Sequence, residues 1–255
     1  MSTASSGAIT QTHCKAEMSA VATFHVLKWR NIVGMVSALA FDRLRYRRVA
    51  GLRFLRVLGT GKGSSTAPGT QFGRTALFCL FADESSADQF VARLRHRRGT
   101  REMWHVKLRG AGGHGSWRGT NIPQLLGGIE SPQSETAPLA IITRADVRAR
   151  SWRTFARAAR VVDDELHRSD GLLAVIGIGE APILRLGTFS LWRNVNAMYG
   201  FAHRQPEHEQ VVRRTRSERW YGEEMFARFA PYWSAGTWDG RDPLRDIVSQ
   251  GNNIP

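Results

Sequence analysis

Residues 188–240 read TFSLWRNVNAMYGFAHRQPEHEQVVRRTRSERWYGEEMFARFAPYWSAGTWDG, and this stretch decides the fold. Residues 188–192 are a short β-prone run. Residues 195–202 suit a helical turn or two. Pro206 restarts the chain in the first turn of a new helix, where its missing N–H is not needed. Over 206–219, His208, Val211, Val212 and Thr215 fall at i, i+3, i+4 and i+7 and share one face. Glu209, Arg213, Arg214 and Arg216 occupy the opposite face, which suits water. Residues 224–233 alternate as a strand, and Gly236 closes it. A histidine therefore sits on the buried stripe of a helix that has to pack on a sheet.

Upstream, strands are predicted at 23–29, 52–58, 75–81 and 103–108, with helices at 35–48 and 86–97. The order is βαββαβ, the ferredoxin-like pattern. Met35, Leu39 and Leu44 are expected on the inner side of the first helix. Asp83, Ser85 and Ser86 each offer an acceptor to the free N–H groups that open the second. From residue 139 the order returns, with strands at 139–143, 172–178, 188–192 and 224–233 and helices at 151–167 and 206–219.

Sequence echoes accompany the repeat. GLRFLRVLG from Gly51 resembles GLLAVIGIG from Gly171, and Ser116-Trp117-Arg118-Gly119 resembles Thr237-Trp238-Asp239-Gly240. Residues 75–90 resemble 188–201 with a shorter preceding loop. The expected fold is α+β: a tandem duplicated ferredoxin-like unit, forming a dimeric α/β-barrel pseudo-dimer within one chain. The expected boundaries are a disordered leader at 1–18, repeat one at 19–119, a linker at 120–138, repeat two at 139–240 with the His208 helix, and a tail at 241–255. The glycines and prolines of 110–138 read as irregular chain. Packing two such units together leaves a cavity between a sheet and its flanking helices.

The net charge of +14 invites a nucleic-acid reading, but only four of the 36 basic residues are lysine. The arginines are spread evenly, and no zinc-finger spacing, ribonucleoprotein motif or basic-region heptad appears, which argues against nucleic acid. No apolar run approaches the roughly 20 residues needed to span a bilayer, and residues 1–18 lack an apolar signal core. Cys14 and Cys79 have no metal spacing and no expected disulfide, as in a reducing cytoplasm. GTGKGSST at 59–66 departs from a phosphate loop, because Gly63 follows Lys62 and no helix comes next.

His208 has two readings, a core histidine bonded to a backbone carbonyl or the proximal ligand of a haem. His203 lies off the buried stripe. His25 and His105 lie on strands, facing either the cavity or solvent. Arg193 and Arg228 read as partners for haem propionates or a substrate carboxylate, or as solvated surface charges. The tryptophans and phenylalanines read as core or as the lining of an apolar pocket.

The segments TFSLWRNVNAMYGFA (188–202), PEHEQVVRRTRSERWYGEEMFARF (206–229) and GTWDG (236–240) resemble, in order and spacing, the spheroidene monooxygenases of carotenoid biosynthesis and their bacterial relatives. The resemblance implies a haem-containing, O₂-using enzyme that oxidises an apolar acyclic carotenoid. Aldoxime dehydratases, of similar shape, also pair two ferredoxin-like units around haem. The family pattern carries a histidine at the position of His208. The implied set is thus haem b with His208 on the iron, Arg193 and Arg228 at the cofactor, and an external ferredoxin or reductase as electron donor. An apolar substrate also implies peripheral membrane contact, although no amphipathic anchor is evident in the sequence. Two alternatives stand beside this reading: a haem-dependent dehydratase or nitrogen-heteroatom enzyme, and a cofactor-free small-molecule binding protein.

Overall fold

A computed structural model describes residues 20–61, 73–127, 135–181, 185–203 and 220–247. Its elements run β1 (Val21–Trp29), α1 (Ile32–Tyr46), β2 (Leu52–Gly61), β3 (Arg74–Phe81), α2 (Glu84–Arg95), β4 (Thr100–Gly115) and α3 (Ile122–Leu125). They continue with β5 (Leu139–Val147), α4 (Trp152–Arg168), β6 (Leu172–Ala181), β7 (Arg185–Trp192), α5 (Val195–His203) and β8 (Tyr221–Gly236). The strands close into an antiparallel barrel in the order β1-β3-β2-β6-β7-β5-β8-β4. Each half has the ferredoxin-like strand order, β4-β1-β3-β2 and β8-β5-β7-β6. The two are joined where β4 pairs with β8 and β2 with β6.

Alternation along the strands builds two kinds of core. Ala22, Phe24 and Val26 of β1 point into the barrel with Phe78, Trp104, Phe189 and Phe229. The intervening Val21 and Leu27 point out, beneath Ala38 and Tyr46 of α1 and Phe90 and Leu94 of α2. Aromatic rings fill the barrel. Phe24 stacks on Phe189 at 3.9 Å and Phe78 on Trp117 at 5.4 Å, while Trp104 lies 5.4 Å from Trp238. Such rings each contribute roughly 2–3 kcal/mol of burial. The barrel interior is therefore solid, and the tryptophans in it are core.

The two Trp turns have the same local structure. Trp117 bridges Thr120 and Trp238 bridges Arg241. Arg118 and Asp239 take positive φ, 56° and 55°. A carboxylate from the other half holds each turn. Glu223 accepts from Ser116 Oγ at 2.7 Å, Gly119 N at 2.8 Å and Arg118 N at 3.0 Å. Glu102 accepts from Thr237 Oγ1 at 2.9 Å and Gly240 N at 2.6 Å. Burial pushes the Glu223 carboxyl up, but these donors and Arg144 outweigh it and hold it at about 2.

Two sequence expectations are corrected. Residues 110–115 are not irregular chain, because β4 continues to Gly115 and pairs with β8. The glycines are there for close approach: a Cβ on Gly113 would lie 2.2 Å from the Phe226 carbonyl oxygen. The inner side of α1 is also not Leu39 and Leu44, which are exposed. Ala38, Asp42 and Tyr46 are buried instead. Asp42 is neutralised by Arg97 at 2.8 Å and Arg45 at 2.5 Å, so this polar line can sit against the sheet. Asp83 caps α2 as expected, accepting from Ser86 N at 2.8 Å. The predicted helix at 206–219, with His208, lies outside the described residues. Among those residues, no helix is long and apolar enough to cross a membrane.

Candidate functional site on the outer face of the second half

On β8, Met225, Ala227 and Phe229 enter the barrel, so Phe226 and Arg228 lie on its outer face. On β5 the same alternation sends Ala140 and Ile142 inward and Leu139, Ile141 and Thr143 outward. The register sets Thr143 between Thr188 of β7 and Phe226 of β8. Helix α4 crosses this face. Its Phe155 ring meets Tyr221 at 6.0 Å, and at its far end Leu166 packs with Leu139, Ile141, Trp192 and Met198. Helix α5 adds Met198 and Phe201, whose ring lies 5.6 Å from Trp192.

Between these anchors the face is open among the described residues. Thr143 is exposed although it lies in the middle of a central strand. Val175, Phe226, Phe155, Ala156 and Val162 are half-buried. His114, near the end of β4, stacks on Phe226 at 5.7 Å and is exposed. The outward side chains of β5, β6 and β8 and the half-buried Phe155, Ala156 and Val162 of α4 thus leave apolar surface only partly covered. The strand backbone here is already paired.

The equivalent face of the first half is covered by α2, with a cavity of about 470 Å³ at its edge beside Arg95, Thr100, Met103 and His105. His25 occupies the place of Thr143 and His105 that of Phe226, as the pairings His25↔His105 and Thr143↔Phe226 show. Both histidines are buried, beneath Phe90 at 5.5 Å. The two Nδ1 atoms share a hydrogen bond of 2.9 Å, and His25 Nε2 meets Thr23 Oγ1 at 2.8 Å. Burial, reinforced by His105, drives the His25 pKa well down. Burial and the charge of Arg95 bring His105 down to about 4. The pair is thus neutral at neutral pH. Nearby, Lys107 is held by Glu84 at 2.5 Å and Asp88 at 2.6 Å of α2. Arg228 stands at the matching place in the second half, where the corresponding α5 positions are Val195 and Tyr199.

The sequence-predicted residues are therefore distributed unevenly. Arg228 lies on the open face, opposite Ile141. Arg193 lies at the β7–α5 turn, 59% exposed and 3.9 Å from Asp170. His203 ends α5. His25 and His105 belong to the other half and are not brought to this face. His114 was missed because its glycine-rich surroundings resemble a loop. The echo of the two Trp turns was the available signal, since Gly236 ends β8 just before one turn and Gly115 ends β4 just before the other.

Ile141, Val175 and Phe226 give this face apolar surface of the kind a flat apolar group would meet, with Arg228 on the same side. Among the described residues, no cluster of three or more His, Cys, Asp or Glu could hold a bare metal ion.

No protein-family model matches the chain. A spheroidene monooxygenase from Rubrivivax gelatinosus is 36% identical over 195 residues, covering 75% of this chain and 73% of the relative. One from Rhodobacter capsulatus is 28% identical over 218 residues, covering 84% and 90%. Among solved structures, the aldoxime dehydratase OxdRE in complex with butyraldoxime superposes with a TM-score of 0.58 at 11% identity, over 92% of this chain and 86% of that one. At that identity the likeness speaks for the fold alone. The identity and coverage of the sequence relatives go further: this chain belongs to the spheroidene monooxygenase family.

Proposed function

We propose that the chain is a haem-dependent monooxygenase that oxidises an apolar small molecule of the carotenoid class, with its site on the outer face of the second half. The single observation that carries this reading is the partly covered apolar face around Thr143 and Phe226, in a chain 36% identical to a spheroidene monooxygenase. In this reading His208 would hold the group through its iron, and Arg228 and Arg193 would pair with its acidic substituents. When bound, the haem supplies O₂ activation, with electrons from an external ferredoxin or reductase.

The chain's own residues do the rest. Ile141, Val175 and Phe226 offer an apolar wall that orients an apolar substrate and excludes water. The paired strands leave no free backbone donor to compete with it. The half-buried Phe155, Ala156 and Val162 of α4 add further apolar surface, and the exposed His114 stacks on Phe226. We also infer that the two halves arose by tandem duplication. Their matching strand order and Trp turns support this. A buried free thiol at Cys79, pushed up by desolvation, suits a reducing cytoplasm.

The test is an absorption spectrum of protein expressed with haemin, followed by O₂ uptake with an apolar carotenoid and a reductant. A Soret band that shifts on dithionite and CO, lost in His208→Ala, is expected, together with O₂-dependent product. Turnover that needs reduced iron but consumes no O₂ would indicate a dehydratase instead. A protein that stays colourless with haemin would leave a cofactor-free binding module.

A further inference from the structure

Helices α1 and α4 are the long helices that follow the first strand of each half, and they present opposite chemistry to the outside. Helix α4 exposes Arg153, Arg157, Arg160, Asp164, His167 and Arg168, with Val161 as its exposed large apolar residue. Helix α1 exposes Ile32, Val33, Val36, Leu39, Phe41 and Leu44, at 38% to 71%. Val33, Val36, Ala40 and Leu44, spaced i, i+3, i+7 and i+11, form a ridge opposite the buried Ala38, Asp42 and Tyr46. The fold does not require this, since α4 fills the corresponding position with a charged exterior. A contiguous apolar ridge in water marks a surface that meets something else.

The charge around the ridge selects the partner. Arg43, Arg45, Arg47 and Arg48 are exposed at its C-terminal end, and Arg30 precedes the helix. The one acidic residue of α1, Asp42, is 1% exposed and turned inward to Arg45 and Arg97. The outer surface of α1 is therefore apolar and cationic, without a carboxylate. A second copy of the chain would bring the same arginines against themselves. Anionic headgroups complement them, while the ridge enters the boundary between headgroups and acyl chains. We propose that α1 is an interfacial anchor that seats the protein on an anionic lipid surface, lying along it over about 22 Å. The proposal stands on the exposed residues of α1 and does not need the haem reading. It supplies the membrane contact that an apolar substrate calls for.

Sedimentation of the full chain with phosphatidylglycerol-containing vesicles, beside pure phosphatidylcholine vesicles, tests it. The wild type is expected to bind the anionic vesicles, at least roughly tenfold more tightly than the neutral ones, and to release in high salt. Val36→Gln with Leu44→Gln, both at exposed positions, should weaken binding roughly tenfold or more. Unfolding midpoints check that this variant folds, and the single change Val33→Glu carries the same expectation. A wild type that ignores anionic vesicles, or variants that bind them undiminished, overturns the proposal. A concentration-dependent dimer that the variants dissociate, without vesicle binding, assigns α1 to a second copy and also overturns it. The two readings fail separately, since a haem protein that ignores vesicles sinks only the anchor, and a colourless one that binds them sinks only the haem.

Discussion

The outer faces of the two halves share strand order and register but differ in what covers them. In the first half, α2 buries Ser86, Ala87, Phe90, Val91 and Leu94, and beneath it His25 and His105 share a hydrogen bond between their Nδ1 atoms. In the second half, α4 buries Ala159 and Leu166, much as its counterpart α1 buries Ala38, Asp42 and Tyr46. Helix α5, the counterpart of α2, buries Met198 among the described residues, and Thr143 is exposed at the place of His25. The same scaffold thus carries a buried histidine pair on one outer face and an exposed Thr143 amid half-buried apolar side chains on the other. The proposed function places the site in the half whose apolar surface is less covered, because an apolar ligand gains most where apolar surface has not yet found a partner.

This comparison is broken or sharpened by paired variants. The largest contrast is expected between Phe90→Ala and Phe201→Ala, which lie at matching places, with rings 5.3 Å from Phe81 and 5.6 Å from Trp192. Phe90 is 1% exposed, so its loss should cost about 3–4 kcal/mol in urea unfolding, against about 1 kcal/mol for the half-buried Phe201. Equal costs would mean the two faces are equally packed. Next come the two turn carboxylates. Glu223→Gln should cost about 2 kcal/mol, because it removes an ion-pair partner at 2.5 Å from Arg144, whose side chain is 3% exposed. Glu102→Gln should cost about 1 kcal/mol, since its partner Lys28 is 35% exposed and 3.6 Å away.

A smaller effect separates the halves by pH. The His105 pKa in the folded protein, about 4, lies below the ordinary value of 6.5, and that of His25 is lowered in the same direction. The unfolded chain then binds more protons than the folded one. Stability should be unaffected by these groups above about pH 6.5 and fall as pH drops toward 4. His105→Phe, which copies the second half, should flatten that slope. Glu223 does not contribute to it, because its stabilisation is lost only below about 4.5, as pH falls toward 2. An unchanged slope in His105→Phe would show that other groups govern acid stability.

Much of the fold was legible because alternation and element order are local properties. The βαββαβ order, the Trp turns and the Asp83 cap could all be read from short windows. The misreadings came where a long-range contact decides. The glycines of 110–115 look like loop unless the approach of β8 is known. Leu39 and Leu44 of α1 look like core unless one sees that Asp42 is neutralised by Arg97, far along the chain. His25 and His105 could not be oriented because β1 and β4 are buried on both faces, so apolar pattern carries no parity there. Of the candidate site, Arg228 was found, whereas Thr143, Phe226 and His114 carry no sequence signal apart from the repeat.

The most direct measurement is a haemin titration of Thr143→Trp beside the wild type, followed at the Soret band. The substitution is at an exposed position and should change stability by no more than about 0.5 kcal/mol, yet its indole would cover the apolar surface beside Phe226. Wild-type uptake with loss of the Soret band in Thr143→Trp, at equal unfolding midpoints, is the predicted result. Uptake by Thr143→Trp as strong as that of the wild type would contradict the assignment of the site to this face.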